Sequence, residues 1–361
     1  MESFSFYNPV KIRFGRGMLS QIDWVIGDRK VLLLTSPGFI KRGLVDKIKE
    51  LTDKIVVIID DILPNPTFSD LNRNFVAANS QEIDLIVALG GGSVVDSAKV
   101  LSLAYQGKSF DWVESIIKNG ITTGEYHLTP LIAIPTTAGT GSEVTPWATV
   151  WDMEEKKKYS LHLENLWCEQ CICDPELTLS LPRELTLQTA LDALSHSLEA
   201  IWNKNANPFS TRYAITAAKE IITILPQLMN NLDDLILRER MMYASLMAGL
   251  AFSNTQTAIA HAISYYLTAN YGIPHGIACS FLLPDIIDLV IEDFPELSSY
   301  FKEMFGNASS DNLRVLYKDL GISTEFRDYH VYDDDLKQLK ASLDSNSRAG
   351  NSIVNIERLF L

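Results

Sequence analysis

Asp192 and His196 stand four residues apart in "LDALSHSLEA" (191–200), a stretch with helical spacing. A period of about 3.6 residues stacks them one turn above the other on a single face. Leu191, Leu194 and Leu198 mark the surroundings as core, where an unpaired charge is costly. The pair is therefore either a salt-bridged core pair or half of a metal site. The chain has six histidines: His127, His162, His196, His261, His275 and His330. Besides His196, two lie on apolar patterns of the same half. His261 is in "TAIAHAISYYL", and His275 is in "YGIPHGIACSFLLP" at the start of another helix. Each alone reads as a satisfied core histidine. Together Asp192, His196, His261 and His275 offer three nitrogens and one carboxylate oxygen, a donor set that suits Fe²⁺, Zn²⁺, Mn²⁺ or Co²⁺.

Two loops of small residues point to a second ligand. In "LIVALGGGSVVDSAK", Gly90, Gly91 and Gly92 follow a buried strand and open a helix. Glycine there allows close backbone approach and positive φ, and Ser93 with Asp96 three residues on fits a capping box. A helix mouth after a glycine turn is a phosphate cradle, or else a tight turn with no ligand. The spacing is not that of the usual dinucleotide fingerprint. In "PTTAGTGSEVT" (135–145), Thr136, Thr137, Thr140 and Ser142 again follow a strand. Two such loops at one sheet edge predict a nucleotide crevice. Of the four cysteines, Cys168, Cys171 and Cys173 crowd into "CEQCIC", and Cys279 is far along the chain. A closed zinc site needs four ligands, so this C-x-x-C reads as structural, part of a strand entering "DPELTLSLP".

The elements that must position these residues divide the chain. Strand patterns at 30–36, 54–60, 83–93 and 128–135 alternate with helical patterns, including "FIKRGLVDKIKELT", about 68–80, and Val94 to about Tyr105. Buried β-branched runs alternating with helices predict βαβ units and a mostly parallel sheet. Beyond about Glu184 the patterns are helical. The boundary falls at 176–183, giving an α/β Rossmann-like domain over 1–180 and an all-α domain over 181–361. The acidic run at 333–335 reads as the first turn of a late helix, and residues 156–158 as a solvated turn. With 361 residues the chain can bury a sizeable core. A net charge of −14 argues against a nucleic-acid partner. No stretch approaches the ~20 apolar residues of a membrane span, and the start lacks a signal-peptide pattern, so a cytoplasmic protein is expected.

"GGGSVVDSAK", "PTTAGTGSEVT", "LDALSHSLEA" and "HAISYYLTANYGIPHGIACSFLLP" stand in the order and spacing of the iron-containing (group III) alcohol dehydrogenases. The chain resembles that family from "FGRG" near residue 14 to at least Pro284. The resemblance implies the two-domain fold shared with dehydroquinate synthase, a metal in the cleft, and NAD(P)-linked interconversion of an alcohol and an aldehyde or ketone. It implies Asp192, His196, His261 and His275 as ligands of one divalent metal, Fe²⁺ first, then Zn²⁺ or Mn²⁺. Gly91, Gly92, Ser93 and Asp96 would line the pyrophosphate and nicotinamide end. Thr136, Thr137, Thr140 and Ser142 would contact the cofactor from the second loop, with Asn65 and Lys158 as further contacts. The implied partners are a small aldehyde or alcohol and a second copy of the chain in a homodimer.

Two positions depart from the family pattern. Tyr265 stands where many members carry a second histidine near the nicotinamide, so a phenol replaces the usual proton relay. Ser36 stands where NAD-preferring members carry an acid that would repel a 2′-phosphate; with Lys41 and Arg42 nearby, NADPH is permitted as well as NADH. "LSHSLEAIWNKNANPFS" resembles the subgroup that reduces phosphonoacetaldehyde to hydroxyethylphosphonate. Such an anion would want a guanidinium, and Arg212 and Arg348 are the candidates. Two other readings compete: a sugar-phosphate cyclase of the dehydroquinate synthase type, which is a lyase, and a non-catalytic nucleotide-binding homologue. The Asp192/His196 pair and "PTTAGTGSE" favour the dehydrogenase over the cyclase.

Overall fold

A computed structural model describes residues 3–79, 81–104, 109–120, 126–155, 157–343 and 346–360. Ser80, Tyr105 and Lys156, at the ends of segments expected from the sequence, lie outside them. The chain forms two compact units. One comprises Asn8–Thr137 and Ser142–Thr178. The other comprises the segment up to Tyr7, Ala138–Gly141 and Leu179–Leu361.

The first unit is built on a six-stranded parallel sheet. Its strands are β1 (Lys11–Phe14), β2 (Val31–Thr35), β3 (Ile55–Ile59), β4 (Leu85–Gly90), β5 (Leu131–Pro135) and β8 (Gln170–Cys173). They lie in the order β1-β8-β5-β4-β2-β3. The inner strands β2, β4, β5 and β8 are buried along their whole length, which is why "VLLLT" and "LIVALG" are continuous apolar runs. The edge strands β1 and β3 are partly exposed. Helices α1 (Ile22–Ile26), α2 (Pro37–Lys41), α3 (Leu44–Leu51), α4 (Phe68–Ala78), α5 (Gly92–Ala104) and α6 (Phe110–Asn119) fill the intervals. Ile22, Val25, Leu33, Val87 and Ile134 are among the residues of one continuous core. The chain runs from β2 outward to β3, then returns to place β4 on the other side of β2. That reversal is a topological switch point, where open α/β sheets bind ligands at the carboxyl ends of their strands.

The structure adds elements that the sequence patterns did not announce. Strand β1 is short and carries Lys11 and Arg13. An antiparallel hairpin joins β6 (Trp147–Asp152) to β7 (Lys157–His162), so Lys157 and Lys158 begin a strand rather than lie in a turn. The helical pattern over 39–52 is two helices, α2 and α3, separated by left-handed Gly43 at φ 72°.

The second unit is helical throughout: α7 (Arg183–Ile201), α8 (Pro208–Asn230), α9 (Leu235–Thr255), α10 (Ile259–Tyr271), α11 (His275–Ala278), α12 (Leu283–Asp293), α13 (Ser298–Phe305), α14 (Ser309–Leu320) and α15 (Asp333–Leu343). Asp333 opens α15, as the acidic run predicts. Leu191, Leu194 and Leu198 are fully buried. The short segment Ala138–Gly141 belongs here because Gly141, at φ 58°, lets the backbone come within van der Waals distance of α9. A Cβ on it would stand 2.7 Å from Gly249 Cα. Among the described residues no helix is long and apolar enough to cross a membrane.

Gly276 sets how close α11 lies to α7, because a Cβ there would be driven into the backbone carbonyl of Gln188. Gly276→Ala is expected to lose about 1–3 kcal/mol of stability by overpacking, read as a lower urea midpoint. Gly350, with nothing within 4 Å of its missing Cβ, is the control, and Gly350→Ala should leave the midpoint nearly unchanged. Equal midpoints for both variants would show that the α7–α11 contact is not tight.

Candidate functional site

Helix α7 presents Asp192 and His196 one turn apart, with His196 Nε2 3.6 Å from Asp192 Oδ1. Helix α10 brings His261 Nε2 to 3.3 Å from the same oxygen, and His275, the first residue of α11, brings its Nε2 to 3.6 Å. Cys279 Sγ, one turn further on, also lies 3.6 Å away. Asp192, His196, His261 and Cys279 are buried, while His275 is half-buried. The His196 ring lies between Phe252, 3.9 Å away and nearly parallel, and His261 at 4.5 Å. Three ring nitrogens and a thiol thus converge on one carboxylate oxygen, which has lone pairs for only about two donors. That excess is what a cation coordinated at this point would require.

The ligand atoms of Asp192, His261, His275 and Cys279 all lie within 4.8 Å of one another, so two fourth donors compete, His196 and Cys279. Their protonation separates them. Burial pushes the His196 imidazole down to about 4 despite the pull of Asp192, which leaves a neutral ring with a free lone pair near pH 7. Burial pushes the Cys279 thiol well above its ordinary value, and the charges of Asp192 and Glu199 add to that. A thiol must lose its proton to bind a metal, so His196 is the readier donor. Burial alone would raise Asp192, but the charge of His196, the hydrogen bond from His261 and the charge of His275 hold it well below the ordinary carboxylate range. Burial lowers His261, and this is outweighed by Glu199 and Asp192, which raise it to about 10.

Several partners of these side chains were not singled out from the sequence. Glu199 Oε2 is 2.7 Å from His261 Nδ1. Ser264 Oγ is 3.3 Å from His275 Nδ1. Ser195 Oγ donates to the Cys279 carbonyl at 2.7 Å, tying α7 to the end of α11. The available signal was spacing: Glu199 follows His196 by three on the same helix face, and Cys279 follows His275 by four. The Tyr265 ring lies nearly parallel to His275 with centroids 6.2 Å apart.

In the first unit, the two small-residue loops follow neighbouring strands. Thr136 N–H donates to Gly90 O at 3.1 Å, and a Cβ on Gly91 would stand 3.1 Å from the Thr137 side chain. Gly90, Gly91 and Gly92 do not have positive φ; they serve close approach alone. The capping box also does not form. Ser93 Oγ accepts from the N–H of Asn65, itself left-handed at φ 57°. The Asp96 carboxylate is taken instead by Ser142 Oγ at 2.5 Å and Thr149 N–H at 2.9 Å. Fully buried Lys99, also unforeseen, donates to the carbonyls of Ser142, Thr145 and Trp147 at 2.6–2.8 Å. Asp96 and Lys99 on α5 therefore fasten the second loop beside the first.

Ser36 caps no backbone group at the start of α2. Thr140 and Lys158 are half-buried, Lys158 on β7. Arg212 is an exposed residue paired with Glu303 at 3.3 Å, which removes it as a buried anion-binding group. Arg348 donates to Gln256 Oε1.

Residues 9–175 match the family model described as iron-containing alcohol dehydrogenase, and residues 186–352 match that of the family's C-terminal region. A 1,3-propanediol dehydrogenase of Klebsiella pneumoniae is 32% identical over 376 residues, covering 96% of this chain and 96% of that protein. An NAD-dependent methanol dehydrogenase of Bacillus methanolicus is 30% identical, covering 93% and 92%. The crystal structure of sulfoacetaldehyde reductase from Bifidobacterium kashiwanohense in complex with NAD⁺ superposes with a TM-score of 0.92 at 28% identity, over 100% of this chain and 97% of that one.

Metal binding should release a proton. The His261 imidazole, raised to about 10, is protonated at pH 7 and must be neutral to bind, so affinity rises with pH up to that value. Titration calorimetry of Zn²⁺ binding in buffers of differing ionisation enthalpy should report about one proton released per metal from this residue near pH 7. Binding with no proton release would mean that His261 is already neutral in the metal-free protein or is not a ligand.

Proposed function

Because the chain belongs to the iron-containing alcohol dehydrogenase family, we propose that it interconverts a small aldehyde and its alcohol, using NAD(H) or NADP(H). The observation that carries this reading is the convergence of Asp192, His196, His261 and His275 on one buried point. The donor set fits one divalent metal; Fe²⁺ is favoured by the family, and the ligands also accept Zn²⁺ or Mn²⁺. When bound, the metal supplies Lewis acidity toward a carbonyl oxygen and the nicotinamide supplies the hydride.

The chain's own residues supply position. Asp192 supplies the anionic ligand, and His196, His261 and His275 supply neutral nitrogens at fixed orientation. Gly91, Gly92 and Ser93, at the start of α5, offer backbone N–H groups and a hydroxyl to a pyrophosphate. Asp96 holds Ser142 so that the second loop, with Thr136, Thr137 and Thr140, stays beside them. Asn65 and Lys158 complete the cofactor's surroundings. Tyr265 Oη is the proton donor to the product oxygen, in place of a histidine. In this reading residues 1–180 bind the nucleotide and residues 181–361 bind metal and substrate, in a cytoplasmic homodimer.

For the substrate, the resemblance of "LSHSLEAIWNKNANPFS" to phosphonoacetaldehyde reductases and the likeness to a sulfoacetaldehyde reductase both favour a two-carbon aldehyde carrying an anion. Cofactor choice turns on Ser36. The Arg42 guanidinium folds over the Phe39 ring at 4.2 Å and lies 3.1 Å from where a Gly38 Cβ would be. A cation is thereby held against Gly38 in the first turn of α2, just after Ser36 in sequence, which favours acceptance of a 2′-phosphate.

The Fe²⁺-reconstituted protein, assayed anaerobically, should oxidise NADH or NADPH with aliphatic aldehydes or phosphonoacetaldehyde. No turnover at full metal content would overturn the dehydrogenase reading. His261→Ala should abolish turnover and lower metal content; normal values of both would remove His261 from the ligand set. Ser36→Asp should shift the NADH/NADPH preference toward NADH by about tenfold or more, about 1.4 kcal/mol. An unchanged ratio would show that Ser36 does not face the ribose.

A further inference from the structure

Glu199 is fully buried on α7 and has no role in the ligand set. Its carboxylate meets three backbone N–H groups and one ring nitrogen. Oε1 accepts from Ala260 N at 2.5 Å and His261 N at 3.1 Å. Oε2 accepts from Ala258 N at 2.9 Å and lies 2.7 Å from His261 Nδ1. Each oxygen is thus engaged by two nitrogens. Three of the donors are backbone groups at the start of α10, where N–H groups lack helical partners and the helix dipole favours an anion. The chain needs such a fastening there. Gln256 is left-handed at φ 65°, and Ala258 caps α10 at φ −129° and ψ −134° with no side chain of its own to bond the helix.

We propose that Glu199 is the positioning residue of the metal centre, fixing both the tautomer of His261 and the entry of α10. The two nitrogens of His261 face two carboxylates at unequal distances, Nδ1 to Glu199 at 2.7 Å and Nε2 to Asp192 at 3.3 Å. In the neutral ring that metal binding requires, the shorter contact keeps the one remaining proton, so Nδ1–H donates to Glu199 and the Nε2 lone pair is left for the metal. Because the same carboxylate holds the N–H of Ala258, Ala260 and His261, ring and backbone are set together. Helix α7 therefore contributes two ligands directly and a third through Glu199. This inference rests on the proposed ligand set.

The test is metal binding rather than turnover. Glu199→Gln keeps the size, but its NH₂ faces two donors and loses them. Zn²⁺ affinity, measured by chelator competition, should fall about 10- to 100-fold, and the visible spectrum of the Co²⁺-loaded protein should change, with the far-ultraviolet dichroism retained. A purely structural cap would lower the melting temperature of the metal-free protein and leave Zn²⁺ affinity and the Co²⁺ spectrum as in the parent. The double-mutant cycle locates the effect. In a His261→Ala background, Glu199→Gln should have little further effect on the remaining Zn²⁺ affinity. Additive losses would overturn action through His261. If Glu199→Gln does not fold, Glu199→Asp, with its shortened reach, is measured by the same competition, spectrum and cycle and judged by the same outcomes. Failure of the ligand set itself would appear differently, as a His261→Ala variant that binds Zn²⁺ like the parent.

Discussion

A buried carboxylate oxygen, Asp192 Oδ1, is the point on which the helical unit is organised. Three imidazole nitrogens reach within 3.3–3.6 Å of it from three helices. Such a group is costly to bury unless something of opposite charge holds it. With a divalent cation at that point the cost is offset and the donors become ligands. The fully buried flanks of α7, the close approach of α11 across Gly276 and the stacking of His196 on Phe252 all serve to keep these atoms together. Metal-site geometry is only as good as the shell behind it, and in the proposed site that shell is Glu199 on His261 and Ser264 on His275.

The α/β half, which we propose binds the nucleotide, solves a different problem with different means. A parallel sheet places its loops at the carboxyl ends of its strands, and the reversal of direction at β2 opens a crevice there. The glycines after β4 allow the backbone to lie close to Val94 and Thr137. Asp96 and Lys99 then bind the second loop through Ser142, Thr145, Trp147 and Thr149. A buried lysine donating to three carbonyls makes this a fixed framework rather than an adaptable loop.

Much of this arrangement was legible beforehand, and the misreadings share a cause. The strands at β2, β4 and β5 are apolar runs bounded by turn residues, a strong local signal. The four-residue spacing of Asp192 and His196 fixed their shared face. Residue type and apolar placement grouped His261 and His275 with that pair as a candidate metal set, which the family resemblance also implies, but nothing in spacing could say that they come to the same oxygen. Ser93 and Asp96 matched a capping box by local rule, but Asp96 is claimed by Ser142 and Thr149, some fifty residues away in sequence. The hairpin strand "KKYSLH" escaped notice because its composition is polar and its partner is set by pairing, not periodicity. Cys279 and Glu199 were passed over because each looks local in sequence and becomes informative only once α7, α10 and α11 are packed.

X-ray absorption at the metal edge of the Zn²⁺-loaded protein tests the central claim most directly. The account predicts a first shell of nitrogen and oxygen alone at about 2.0–2.1 Å, with outer-shell scattering from about three imidazoles. A sulfur scatterer at about 2.3 Å would place Cys279 in the ligand set and contradict the assignment of His196 as the fourth donor.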